Sequence, residues 1–189
     1  MSQACPARRA VLPDLPDAHA AWVEATQEEE GGEGEVILAI DPGPVHSAYV
    51  LLKPDLSLQE FGKLPNDEIL SVISGTLFYI KPTPAVAIEM CACYGMAVGK
   101  EVFETCVWIG RFTQMAGNVE YIYRKDEKMN LCGSMRAKDS NIRQALIDRF
   151  GVVGTKARKG WFYGVSKDVW AAVAVGVTYH DLYIKGVTP

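Results

Sequence analysis

The sequence predicts an α/β domain built on a mixed five-stranded sheet, three antiparallel strands followed by parallel ones, flanked by helices. Three observations carry this. Val36 to Ile40 and Ala85 to Ile88 are short, unbroken apolar runs, as strands buried on both faces require. Between them lie two further strand-like runs joined by short turns, which reads as an antiparallel meander. Beyond them, segments with helical spacing alternate with strand-like ones, the pattern of a sheet covered by helices.

The first strand, Val36 to Ile40, ends in the turn Asp41-Pro-Gly43. His46 to Leu52 and Leu58 to Leu64 follow as strands two and three. Asn66-Asp-Glu68 is a helix start with acids in its first turn, and Ile69, Val72, Ile73 and Leu77 continue at helical spacing. The fourth strand, Ala85 to Ile88, runs into Glu89. A long helix is predicted over Lys100 to Ala116, with Val102, Phe103, Cys106, Val107 and Gly110 facing the core. Glu120 to Arg124 is the fifth strand. Asp139 or Ser140 caps a helix lined by Ile142, Ala145, Leu146 and Phe150, and Ser166 caps a last, mostly apolar helix from Lys167 to Tyr183.

In 189 residues, 49% of them hydrophobic, the chain has enough apolar material for one substantial core. No apolar run is long enough to span a membrane, and the first residues lack the order of a signal peptide. Five irregularly spaced cysteines point to free thiols in a reducing compartment, so a cytoplasmic protein is expected; Cys91-Ala-Cys93 has no second ligand pair for zinc. Residues 1–35 hold eight acids against two arginines and three of the ten prolines, the composition of a disordered tail, which leaves 36–189 as the folded domain. The net charge of −4 hides a basic region: Tyr121 to Lys167 carries eleven Lys/Arg against four Asp/Glu. Such density suits phosphate contact, or equally a solvated charged face.

The acids are the most informative residues. Burying a carboxylate is costly, yet Asp41 and Glu89 each terminate an apolar strand. Neighbouring strands run about 4.8 Å apart, so acids at two adjacent strand ends can converge on one ion. Asp168 opens the last helix at the edge of the core. Singly, a strand-end Asp is an ordinary turn former and a first-turn Asp an ordinary dipole partner. Three oxygen donors with no His or Cys beside them select Mg²⁺ or Mn²⁺. His46 and His180 read as structural, hydrogen-bonded residues. The stretch Lys156 to Tyr163 mixes Lys156, Arg158 and Lys159 with three aromatics. That suits phosphate contact with base stacking, or a solvated turn followed by core aromatics.

Ala39-Ile-Asp-Pro-Gly-Pro-Val-His-Ser47, then Ala87-Ile-Glu89, then a carboxylate opening an Ala- and Val-rich last helix, resembles the RuvC family of Holliday-junction resolvases, of bacterial or phage type, in the ribonuclease H-like superfamily. The resemblance covers roughly Val36 to Asp181. It implies a ribonuclease H-like fold and a homodimeric, structure-selective DNA endonuclease. Such an enzyme hydrolyses four-way junctions with two Mg²⁺ ions, Mn²⁺ able to substitute, and leaves 5′-phosphate and 3′-hydroxyl ends. It further implies Asp41, Glu89 and Asp168 as metal ligands and Lys128, in Lys128-Met-Asn-Leu-Cys-Gly133, as a catalytic cation near the scissile phosphate. Lys138, in Ala137-Lys-Asp-Ser-Asn141, is carried over as a DNA contact. The sequence departs from the family twice. The family has a second acid three positions into the last helix, where this chain has Ala171. It also has an aromatic three after the strand Glu, where this chain has Ala92, so Tyr94 is the nearest candidate to stack on a base.

Other readings use the same residues: a ribonuclease H-like nuclease for RNA–DNA hybrids or flaps, or a junction binder without catalysis. An actin-like ATPase would need a second Asp-x-Gly and far more chain. A dimer would supply the second site for paired cuts, with Lys100 to Ala116 as interface, because Trp108, Ile109 and Phe112 add large apolar groups beyond one core stripe.

Overall fold

The computed structural model describes residues 34–186, apart from Tyr94 and Met96. The acidic-tail assignment therefore falls almost wholly outside the described residues, and Tyr94 does too. The sheet comprises β1 (Ile37–Asp41), β2 (His46–Leu52), β3 (Leu58–Pro65), β4 (Ala85–Met90) and β5 (Glu120–Tyr123), in the order β3-β2-β1-β4-β5. β1 pairs antiparallel with β2, and β2 with β3; β1 pairs parallel with β4, and β4 with β5. This is the mixed sheet the sequence predicts.

Five α-helices follow among the described residues: α1 (Asn66–Tyr79), α2 (Lys100–Ala116), α3 (Arg124–Cys132), α4 (Asp139–Phe150) and α5 (Val169–Tyr179), the last continued by a π-helical turn, His180–Ile184. None is long and apolar enough to cross a membrane. β1 and most of α5 are fully buried, and α5 lies across β1 and β2. That close approach depends on a glycine: a Cβ on Gly176 would stand 2.6 Å from Leu52 Cδ1 and 3.1 Å from Ala39 Cβ. At the far end of α5, Asp181 is 6% exposed and takes two bonds from Arg149, at 2.5 and 2.8 Å, and one from Asn130 at 3.0 Å. Burial pushes its carboxyl up, but these bonds outweigh burial and hold it at about 2. α3 and α4 are thereby tied to the end of α5.

Three expectations are corrected. α3 was not foreseen; it follows β5 with no loop between them, and its buried inward residue is Glu127, where a helical pattern would show an apolar side chain. The last helix begins at Val169 rather than Lys167, because Lys167 takes a left-handed conformation (φ 46°). In α2 the bounds hold but the face does not. Thr105, Ile109 and Phe112 are buried within the domain, whereas Phe103, Val107 and Gly110 are exposed. Apolar residues surround that helix, so periodicity alone does not choose a side, and packing against α1 does. Trp161 and Phe162 join the core: Trp161 stacks on Phe150 at 4.6 Å, and Phe162 is fully buried against Trp170. Replacing Gly176 with Val should destabilise the domain by about 1–3 kcal/mol, the usual cost of overpacking, read as a lower urea midpoint.

Candidate active site

The three parallel strands end at one edge of the sheet, and their ends place the chemistry there. Asp41 is the last residue of β1, and Ile40 pairs with Ile88, the residue before Glu89 in β4. Glu89 pairs with Ile122 of β5, and one residue past β5 the chain becomes Arg124, the start of α3. The carboxyl ends of parallel strands are where open α/β sheets form their crevices. The turn after Asp41 is fixed by hydrogen bonds: Gly43 N–H donates to Ser47 Oγ, Ser47 Oγ to Asn66 Oδ1 at 2.7 Å, and Asn66 Nδ2 to the Gly43 carbonyl at 2.9 Å. A Cβ at Gly43 would come within 2.4 Å of the His46 carbonyl oxygen, so this turn requires glycine.

A cleft of about 350 Å³ opens at this edge, lined by Asp41, Glu89, Arg124, Asp139, Ile142, Lys167, Asp168, Trp170 and Ala171. The three carboxylates singled out in the sequence thus share one cleft. Burial, then the neighbouring Glu89, pushes the Asp41 carboxyl up to about 8, with Asp168 adding and Arg124 opposing. Burial also raises Glu89, against the pull of Arg124, and Asp41 hydrogen-bonds to it. Both acids are half-buried, and two carboxyls this close disfavour being ionised together. Asp168 is also half-buried and pairs with Lys63 of β3. Lys63, Ala48 and Asp41 lie in one row across the sheet, which aims the lysine at this edge.

Sequence reasoning missed four participants: Lys63, Arg124, Glu127 and Asp139. Arg124 donates to Glu127 Oε2 and to Asp139 Oδ1, each at 2.5 Å. Glu127 is fully buried and its Oε1 has no hydrogen-bond partner. Burial, and the Glu89 charge beside it, push Glu127 up to about 9 despite Arg124. The one available signal was a buried-looking acid in a helix-forming stretch, which carries no periodicity. Lys128 lies one turn beyond Arg124, half-buried and outside the cleft lining. Lys138 is exposed just before α4, and Lys156, Arg158 and Lys159 are exposed on a turn closed by a Gly154–Lys159 bridge. Ala171, three residues after Asp168, also lines the cleft. His46 is exposed, and His180 is buried beside Asp181.

Among the described residues no three His, Cys, Asp or Glu side chains stand close enough together to enclose a metal ion. Asp41 hydrogen-bonds to Glu89, and Asp168, in the same cleft lining, is paired with Lys63. The donors are all oxygens, and neither Asp41 nor Glu89 has an ion pair of its own among the described residues, so this set fits a hard divalent cation.

Neither family models nor curated proteins match this chain by sequence. Solved structures do match in fold. The Thermus thermophilus RuvC in complex with a Holliday junction substrate superposes with a TM-score of 0.57 at 16% identity, covering 80% of this chain and 96% of that one. A second structure of T. thermophilus RuvC gives 0.54 at 18% identity, with the same coverage. The fold is RuvC-like. The five-stranded sheet and its flanking helices accordingly have the ribonuclease H-like arrangement.

The raised Asp41 carboxyl sets a pH dependence. Between its ordinary 3.8 and its folded value of about 8, the folded chain keeps a proton that the unfolded chain releases. Stability is therefore highest at the acid end of that window and falls as pH rises through it. Without divalent metal, the melting temperature should drop between about pH 5 and about pH 8, by roughly 2–4 °C for each kcal/mol lost. Asp41→Asn should flatten the slope. Calorimetry of both proteins in chelator measures it.

Proposed function

We propose that this chain is a metal-dependent, structure-selective DNA endonuclease of the cytoplasm that resolves four-way junctions and leaves 5′-phosphate and 3′-hydroxyl ends. The observation that carries the reading is the pair of adjacent, half-buried acids, Asp41 and Glu89, lining one cleft at the carboxyl ends of neighbouring parallel strands in a RuvC-like fold. The related structure holds a Holliday junction substrate, which makes branched DNA the first substrate to test.

Asp41, Glu89 and Asp168 would hold the cation, Mg²⁺ with Mn²⁺ as substitute and two ions in the full site. Bound there, such ions supply an activated water and a clamp on the leaving 3′ oxygen. The chain's own part is positional. β1 and β4 fix two carboxylates on a rigid sheet, and Lys63 pairs with Asp168, which would have to leave that pair to serve as a ligand. The exposed Lys138, Lys156, Arg158 and Lys159 supply phosphate contacts away from the cleft, and Lys128 stands as an auxiliary cation on α3.

Ala171 in the cleft favours a second reading, a junction binder without catalysis. Incubating the protein with a four-way junction, a flap, an RNA–DNA hybrid and a plain duplex, with and without Mg²⁺, separates these readings. Metal-dependent nicking of the junction is expected. Asp41→Asn and Glu89→Gln should abolish nicking and leave junction binding intact or tighter, since each removes negative charge beside phosphate. Wild-type cleavage by either variant defeats the site assignment.

A homodimer fits a two-fold junction. Its interface is assigned to the outer face of α2, where Phe103 and Val107 are 62% and 63% exposed, rather than to the buried Ile109 and Phe112. Sedimentation should give a dimer at micromolar concentration, and Val107→Asp should give a monomer.

A further inference from the structure

Arg124 stands apart from the other basic residues of this region. It begins α3 directly after β5, lines the acidic cleft, and is itself bracketed by two acids. Glu127, with no exposure at all, takes one arm of the guanidinium, and the exposed Asp139 takes the other. A guanidinium has five N–H donors, and these two bonds leave three of them. The side chain is 26% exposed at the cleft wall. No other cleft-lining cation is fixed in this way: Lys167 is exposed and forms no ion pair among the described residues, and Lys63 reaches the cleft by pairing with Asp168.

The charge arrangement explains the bracket. An arginine next to two acids would ordinarily become their counterion and close the site to a metal. Here Glu127 and Asp139 hold both arms, so Arg124 lowers the cost of Asp41 and Glu89 without hydrogen-bonding to either. It is thus kept beside the acid pair and off it. A planar fork at the wall of a metal-binding cleft is suited to grip a phosphate oxygen pair, which an ammonium does only as a point charge.

We infer that Arg124 is the cation that contacts the DNA phosphate at this cleft, and that Glu127 is the positioning residue that holds it there and keeps it from occupying the Asp41–Glu89 pair. The inference rests on the nuclease reading above. It gives Arg124 the contact at the cleft wall and leaves Lys128, one turn away and outside the cleft lining, as the auxiliary cation.

The test measures three quantities on Arg124→Ala, Arg124→Lys, Glu127→Gln and Lys128→Ala: nicking rate with Mg²⁺, salt dependence of junction binding without metal, and Mn²⁺ affinity by electron paramagnetic resonance. Arg124→Ala should nick about 10²–10³-fold more slowly, as loss of a positioned donor does. Its plot of log affinity against log salt should be shallower by about one unit of slope. Arg124→Lys should restore the slope but not the rate. Glu127→Gln should weaken Mn²⁺ binding, because the released guanidinium competes for Asp41 and Glu89; a purely structural role would lower the melting temperature and leave Mn²⁺ affinity unchanged. Lys128→Ala should change the rate less than Arg124→Ala does. An unchanged salt slope in Arg124→Ala, or unchanged Mn²⁺ affinity in folded Glu127→Gln, overturns the inference. Should Arg124→Ala not fold, Arg124→Lys decides, and a wild-type rate overturns it. A wild-type protein that binds junctions but never nicks defeats the nuclease reading instead, and the salt slope still decides the role of Arg124.

Discussion

The structure is organised around two carboxyls held side by side, half-buried, at one edge of the sheet. β1 and β4 are parallel neighbours with Ile40 opposite Ile88, so their last residues, Asp41 and Glu89, arrive at the same edge of the sheet. Separating them would require a shift in the register of β1 against β4, and the side chains of β1, buried on both faces, are packed to that register. The repulsion is therefore built into the fold; it raises the Asp41 carboxyl, and the charge of Arg124 opposes it. Core packing supplies the stability against which that repulsion is tolerated.

The rest of the domain serves to keep that edge rigid. α5 is buried along nearly its whole length and seats on β1 through Gly176, so the helix that follows Asp168 has little freedom to slide. Asn66, at the start of α1, holds the turn after Asp41 through Gly43 and Ser47. The Arg149–Asp181 pair anchors the far end of α5 to α4, and α4 begins at the Asp139 that holds Arg124. A displacement at any of these points would reach the cleft, because packed interiors transmit strain rather than absorb it.

Much of this was legible in the sequence, for reasons that also explain what was not. β1 and β4 announce themselves because strands covered on both faces must be apolar throughout, and an acid at the end of such a run is conspicuous. Asp41, Glu89 and Asp168 do share one cleft for that reason. Helix α2 shows the limit: its ends are right, but Phe103 and Val107 on one side are as apolar as Ile109 and Phe112 on the other, and only the neighbouring α1 decides between them. Helix α3 shows a deeper limit. Its buried side chain is Glu127, so the hydrophobic period that reveals helices is missing where the functional residue sits. Lys63 was hidden for a related reason, since β3 is partly exposed and a lysine there reads as an ordinary solvated charge.

The charge distribution links these observations to the proposed chemistry. The segment from Tyr121 to Lys167 is strongly basic, yet the cleft it surrounds contains Asp41, Glu89, Asp139 and Asp168. On the proposed reading, a polyanion would be drawn towards the surface by long-range attraction and repelled at the acids. A divalent cation held there would remove the second effect without touching the first, so junction binding and metal binding would reinforce one another, a reciprocity that linkage requires of any two coupled sites. Arg124 adds a fixed positive charge on the boundary between the two regions. Its own acids, Glu127 and Asp139, hold it at that boundary, where an unbracketed arginine would collapse onto Asp41 and Glu89 and close the site.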